Sequence, residues 1–465
     1  MEISKYKRVE LDYAKIKWEA LQNKQNFPKS LSVDQGHSTI YQLSPEWFFK
    51  RKQQDGNHGL NSEGYGIHSQ HHFRYDEIVG SFDDLAEVLS AEIAKGLGTV
   101  TKTDYLGNKF TSPVIDTAEY KLAVYTNKDG EEERGCLSKN IVADGGNLIQ
   151  GTYFLQTLPT ATATRTPENS LPNYLHALKE YSERTGVVLD PNIQRDLIVN
   201  SYYCWKVANC DNHCNNITFI QKKGPDGRSY VTVSPIIDNG SAWESAISYI
   251  NANGQNRYEL IYKAQTGKDS VSPQEASEVV FTSNPFYDHT AFKLNGGNLN
   301  NHAKTLNGEQ LSYEYDLAAF ALANPEVYSS IYQIESNFNI DGAIEQVTQD
   351  YNLNAPPYYF ETVRATTQYK SQVLSQVVSD YYCHVAYTNC VENVDMSNPS
   401  EMYLSFQQQM QQLPLQPSAQ AYAEEFLKIA KQNNVAINEE ALSNLDFLPS
   451  PEPAQCVGQA CDVVQ

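Results

Sequence analysis

The sequence predicts an α+β protein of two lobes, a small β-rich lobe over residues 1–142 and a larger helical lobe over residues 143–400, followed by a Gln/Pro-rich linker and tail over 401–465. Three observations predict this. Short β-like runs crowd the first lobe, at Thr39–Leu43, Trp47–Lys50, Glu119–Thr126 and Gly135–Asn140, separated by turn-forming residues. Helical stripes dominate the second, at Pro172–Arg184, Asp190–Val207, Leu311–Ile334 and Tyr358–Val385. From Glu401 the composition shifts to QQQMQQLPLQPSAQ, which reads as a linker.

A chain of 465 residues with a formal charge of −21 is long enough for a sizeable core. The acidity argues against general binding to nucleic acid or anionic membrane, because both need a basic face. No run of about 18 apolar residues is present, so no membrane span is expected. The N-terminus lacks the apolar core of a cleavable signal, so a cytoplasmic protein, or one secreted into a host cell by another route, is expected. The eight cysteines are sparse and do not form a disulfide framework. Cys204, Cys210, His213 and Cys214 are close in sequence, but the spacing lacks the paired C-x-x-C of a zinc site.

The first element is a hairpin of Thr39–Leu43 and Trp47–Lys50 about Ser44-Pro45-Glu46. Residues 53–73 are rich in Gly, Asn, Ser and His and read as a long loop. Ser81 and Asp84 make a capping box for a helix with Leu85, Val88, Leu89 and Ile93 in one stripe, ended by Gly96 and Gly98. Gly186 closes the first large-lobe helix, and Asp190-Pro191 reads as an N-cap with proline at the first helical position. Thr218–Gln221 and Tyr230–Val233 pair as a hairpin about Gly224-Pro225-Asp226-Gly227. Ser418 caps an amphipathic helix through Lys431, and a second short helix follows Asn438.

The chemistry concentrates between Asp190 and Trp243. Asp211 is followed five residues later by Asn216, and Asp238 ends the β-like run Tyr230–Ile237. A phosphoryl-transfer loop needs these parts in this order. One carboxylate takes the proton of an attacking hydroxyl, while an amide oxygen and a second carboxylate hold magnesium against phosphates. A lone D-x-x-x-x-N is also an ordinary Asx-rich turn. Its setting, helix then loop then hairpin then loop, is the one a catalytic loop requires.

Asp211-Asn212-His213-Cys214-Asn215-Asn216, a hairpin, and then Pro235-Ile236-Ile237-Asp238-Asn239-Gly240-Ser241 resemble the HipA-like serine/threonine kinases, from about residue 30 to residue 290. That group includes bacterial toxin kinases and secreted relatives. The resemblance implies a two-lobed protein-kinase-like fold, ATP and Mg2+ as nucleotide and metal, Asp211 as catalytic base, His213 as loop support, and Asn216 and Asp238 as magnesium ligands. A small lobe of this kind also needs an inward-facing strand lysine. Lys50 fits, with Lys52 on the same strand face as alternative. Glu87 matches the glutamate of the family's helix that pairs this lysine, with Glu92 as alternative. A protein substrate, and an antitoxin or host protein as partner, are likewise implied. Two other readings stay open: a nucleotide-binding or interaction module without transfer, and a small-molecule kinase, lipid kinase or AMP transferase on the same fold.

Overall fold

The computed structural model describes residues 40–42, 44–51, 78–80, 83–126, 132–161, 167–209, 212–240, 242–243, 250–251, 292–294, 316–318, 320–321, 324–351, 357–391, 401–410 and 419–443. The described chain is α+β, as the sequence predicts. No helix in it is long and apolar enough to cross a membrane.

Strands β1 (Ile40–Gln42) and β2 (Trp47–Arg51) form the expected hairpin. The Ser44 hydroxyl closes it by accepting the N–H groups of Glu46 and Trp47. Strand β3 (Ile78–Gly80) leads to helix α1 (Asp83–Gly96). Ser81, the proposed cap, lies outside the described residues, and the Asp84 carboxylate accepts the N–H of Leu85 instead. The stripe Leu85, Val88, Leu89 and Ile93 is buried as predicted. Strands β4 (Thr99–Thr103) and β5 (Lys109–Pro113) make a separate hairpin. Strands β6 (Tyr120–Thr126) and β7 (Glu132–Lys139) complete an antiparallel sheet in the order β1-β2-β7-β6. Gly135–Lys139 is the last part of β7, a central strand of this sheet. The turn comes after it, at residues 140–146. Gly146 is required there. Its φ is 124°, and a Cβ would come within 3.2 Å of the Gln221 carbonyl oxygen.

Strand β8 (Asn147–Gln150), helix α2 (Gly151–Leu155) and helix α3 (Leu171–Thr185) follow. Helix α3 ends at Gly186 in the left-handed conformation, as the sequence predicts. After strand β9 (Val188–Leu189), helix α4 runs Ile193–Lys206. The expected cap is displaced by two residues. The Asp190 carboxylate makes a local turn onto the Asn192 N–H at 2.8 Å, and the helix begins only after it. Strands β10 (Thr218–Lys223) and β11 (Ser229–Val233) form the predicted hairpin in a second sheet, β8-β10-β11-β9. Strand β12 (Ile250–Asn251) pairs with β3.

Helix α5 (Pro325–Asn337) starts at the Asn324-Pro325 step, which divides the pattern read as continuous over 311–334. Helices α6 (Ile340–Tyr351) and α7 (Pro357–Cys390) follow, then α8 (Glu401–Met410), α9 (Ala419–Gln432) and α10 (Glu439–Ser443). Helix α8 corrects the linker reading of residues 401–410. Glutamine is a good helix former, and Tyr403, Phe406 and Met410 recur at helical spacing and are buried. The Asn438 side chain caps α10 by accepting the N–H of Ala441 at 3.1 Å. Ser418 lies outside the described residues.

By packing, the chain divides into two units, residues 1–297 with 337–370 and residues 298–336 with 371–465. In the first, α1 is sandwiched between the β6–β7 face of the sheet and α6. In the second, aromatic rings form a core of their own, with Phe406 5.8 Å from Tyr387 and 5.3 Å from Phe426. The tyrosine stripe of α7 thus ends in core packing.

Candidate active site

One face of the first sheet gathers the site. In antiparallel register Lys50 lies opposite Cys136, and Cys136 opposite Leu122. The next row of the same face is Phe48, Ser138 and Tyr120. Side chains two residues apart share a face, so Lys50 and Tyr120 project to the same side. Helix α1 packs on β6 and β7 and brings Glu87, which is fully buried. The Lys50 ammonium donates to Glu87 Oε1 at 2.7 Å and to the carboxylate of Asp238. Lys50, Glu87 and Asp238 come from stretches 37 and 188 residues apart, counted from the lysine.

Asp238 reaches this point because the chain runs on past the end of β11 to an isolated bridge at Ile236. Ile236 donates its N–H to the Asp116 carbonyl and accepts from Ala118, a parallel bridge onto the segment leading to β6. Asp238 then adopts φ 61°, a left-handed conformation that Asp tolerates better than most residues. Its N–H is donated to the Tyr120 hydroxyl at 3.1 Å. The following N–H, of Asn239, is donated to Glu87 Oε2 at 2.7 Å. Both oxygens of Glu87 are thus engaged, one by Lys50 and one by the turn carrying Asp238.

The loop after α4 approaches from the other side. It leaves the helix through Ala208 at φ 52°, a conformation that costs a non-glycine residue about 1–2 kcal/mol. The N–H of Asn209 returns to the Cys204 carbonyl at 2.8 Å, and the N–H of Trp243 to Val207 at 3.0 Å, which together hold the turn. The Asn209 side chain then donates to the Asp238 carbonyl at 3.2 Å and to the Asn239 side-chain oxygen at 3.0 Å. His213 Nδ1 accepts the N–H of Asn215 at 3.2 Å, so the neutral ring carries its proton on Nε2. Asn216 donates its N–H to the His213 carbonyl, and with Asn209 and Ile237 it lines a cavity of about 30 Å³. Asp211 and Lys52 lie outside the described residues. Glu92 pairs with Lys95 at the surface, which leaves Glu87 as the partner of Lys50.

Burial alone would lower the Lys50 pKa, but Asp238 and Glu87 outweigh it and hold the ammonium well above the ordinary lysine range. Burial raises the Glu87 pKa against the pull of Lys50. For Asp238, burial acts upward but the Lys50 charge and hydrogen bond prevail, with His213 adding to them, and the pKa is lowered. Burial lowers the His213 pKa, against the attraction of Asp238. Burial pushes the Cys204 thiol up to about 12, so it is protonated at neutral pH.

These shifts have signs that can be tested. A raised carboxylate pKa means that the folded protein binds the Glu87 proton more readily than the unfolded chain. As pH falls through that raised value, Glu87 itself does not weaken the fold, but it stops being an anion for Lys50. Ligand binding at Lys50 is therefore expected to weaken on an acidic limb that lies above the ordinary glutamate range. A melting temperature that follows the same limb, or a Glu87→Gln protein that retains it, would refute this.

The chain matches no protein-family model and no curated protein sequence. Among solved structures it is similar to the crystal structure of a Helicobacter pylori proinflammatory kinase, CtkA. The TM-score is 0.41 and the identity 11%, over 75% of this chain and 91% of that one.

Two residues of the site escaped the sequence reading. Asn209 stands two positions before Asp211 inside a run of turn-forming residues, and nothing distinguished it from its neighbours. Tyr120 is recognisable only once the β6–β7 register is known.

Proposed function

We propose that the protein is an ATP- and magnesium-dependent kinase that transfers the γ-phosphoryl group of ATP to a serine or threonine hydroxyl of a protein. The observation that carries the reading is the Lys50 ammonium held between buried Glu87 and Asp238. The sequence motifs anticipate a lysine, a helical glutamate and a metal-binding aspartate in this combination.

The donor chemistry fits. The cluster holds one positive and two negative charges, and 41% of the Asp238 side chain is exposed. A site with a net negative charge and an accessible hard oxygen suits magnesium, which takes one or two protein carboxylates and completes its shell from phosphates and water. Asp238 and Asn216 would hold it. When bound, magnesium neutralises charge developing on the phosphate oxygens.

The chain's own groups do the rest. An ammonium has three N–H donors. Lys50 directs one to Glu87 and one to Asp238, which leaves a third for a phosphate oxygen. Glu87, fixed on both oxygens, stops the lysine from following its ligand. Asp211, between Asn209 and His213, takes the proton of the acceptor hydroxyl. The acceptor oxygen then bonds to the γ-phosphorus, the bond to the β–γ bridging oxygen breaks, and ADP leaves with the electron pair. Positioning and electrostatics supply most of the rate.

The test incubates purified protein with magnesium and γ-labelled ATP beside Asp211→Ala and follows label on protein. Label on the wild type alone is expected. Tight nucleotide binding with no transfer to itself or to a proteome of candidate acceptors would replace this reading with that of a non-transferring module. An added AMP in the mass spectrum would replace it with an AMP transferase.

A further inference from the structure

We propose that Tyr120 is a positioning residue for the metal-binding aspartate: its hydroxyl, delivered from β6, sets the backbone turn at Asp238 and thereby the direction of the Asp238 carboxylate. The inference rests on the kinase reading for what that carboxylate binds, but its geometry stands independently.

Asp238 sits where regular pairing has stopped. The last backbone bridge is at Ile236, and two residues later the chain is at φ 61°. A non-glycine residue stays in that conformation only when its surroundings hold it. Side chains do the holding. Tyr120 accepts the Asp238 N–H, Asn209 donates to the Asp238 carbonyl, and Glu87 accepts the Asn239 N–H. Each peptide group flanking Asp238 is gripped, and the grips come from β6, from the loop after α4 and from α1.

Of the three, Tyr120 alone grips the peptide group preceding Asp238. It also has a fixed anchor. Its backbone is in the β6–β7 ladder opposite Ser138, two residues from the Ala118 N–H that bridges to Ile236. The segment 118–120 therefore holds 236–238 twice, once through backbone and once through the phenol. The side chain is 5% exposed. Burial, with the Glu87 charge next, raises its pKa well above the ordinary tyrosine range, so the phenol is neutral at physiological pH. A neutral hydroxyl oxygen accepts the amide without adding a charge to the cluster. Removing it frees the turn to rotate but leaves Lys50, Glu87 and every carboxylate in place. The loss should therefore appear in the metal response and not in the contact between lysine and phosphate.

The experiment uses the full chain and Tyr120→Phe, which keeps the ring and deletes only the acceptor. A fluorescent ATP analogue is titrated first in EDTA and then, at fixed concentration, with magnesium. The variant is expected to bind the metal-free analogue within about twofold of wild type and to need about tenfold more magnesium for half-saturation, the effect of one lost buried hydrogen bond. In parallel, hydrogen exchange of the peptide containing Asp238 is expected to be about tenfold faster in the variant. A merely structural tyrosine would weaken both titrations together and lower the melting temperature. Unchanged magnesium response with unchanged exchange would overturn the inference while leaving the kinase reading intact. Faster exchange in a protein whose wild type shows no magnesium-dependent binding would overturn the kinase reading and leave Tyr120 as the group that holds the turn. Equal exchange there would end both.

Discussion

Replacing Asp238 by asparagine is expected to abolish magnesium-dependent nucleotide binding and to lower transfer at least about a thousandfold, the scale of losing a preorganised charge at the reacting phosphate. Asparagine is the informative change because it tolerates the left-handed backbone that Asp238 occupies at φ 61°, whereas alanine adds strain there. The substitution removes charge and keeps shape. The cluster of Lys50, Glu87 and Asp238 then changes from net negative to neutral, and under the proposed function a divalent cation would lose its carboxylate. The fold should respond little. The lowered pKa of Asp238 means that its ionised form supports the folded state above the ordinary aspartate range, a contribution lost as pH falls through the lower folded value. With 41% of the side chain exposed, solvent screens that contribution. Asp211→Ala should give the contrasting result, intact metal-dependent binding with transfer lost. Calorimetry with and without magnesium, beside the γ-label assay, separates the two. Equal loss of both functions in both variants would contradict the assigned roles.

The parts of this site legible in the sequence are those specified by local pattern. Lys50 ends an aromatic run with strand alternation, Glu87 stands in a capped helix with a regular stripe, and Asp238 follows a hairpin with an unambiguous turn. Local pattern and observed place coincide for all three. Glu87 versus Glu92 was harder, because a glutamate off the apolar stripe is normally solvated. Burial decided it: Glu87 faces the sheet and the turn at Asn239, a surface the helix sequence alone does not reveal.

What was not legible depends on contacts between distant residues. Tyr120 needs the register of β6 on β7 and the bridge from Thr117 to Ile236, 119 residues further on. Helix α8 was obscured for a different reason. Its Gln-rich composition outweighed the spacing of Tyr403, Phe406 and Met410, although that spacing is what the fold uses. The reading of 311–334 as one pattern gave too little weight to Pro325, which restricts the residue before it and sets the start of α5.

Helix α6 was also missed, and it carries the second large prediction: Val347→Asp is expected to unfold the first packing unit at physiological temperature or to abolish nucleotide binding. Ala343, Ile344 and Val347 form a stripe at helical spacing, and Val347 is 1% exposed. Helix α6 packs on α1, whose other side lies on β6 and β7. The start of the 337–351 segment is pinned to α1: the Asn337 side chain donates to the Leu97 carbonyl at 3.1 Å, just beyond that helix. Helix α1 therefore cannot swing away from the sheet without breaking its seam with α6, and Glu87 keeps its place on Lys50 and Asn239. A carboxylate at 347 would have to ionise in that seam or push α6 off. Either costs several kcal/mol, a large share of the roughly 5–15 kcal/mol that stabilises a domain. Val347→Ala should cost only about 2 kcal/mol and leave binding close to wild type. Thermal unfolding and nucleotide titration of the two variants give the comparison. If the aspartate variant melts and binds like the alanine one, α6 is not what keeps Glu87 in place, and the sheet alone must position α1.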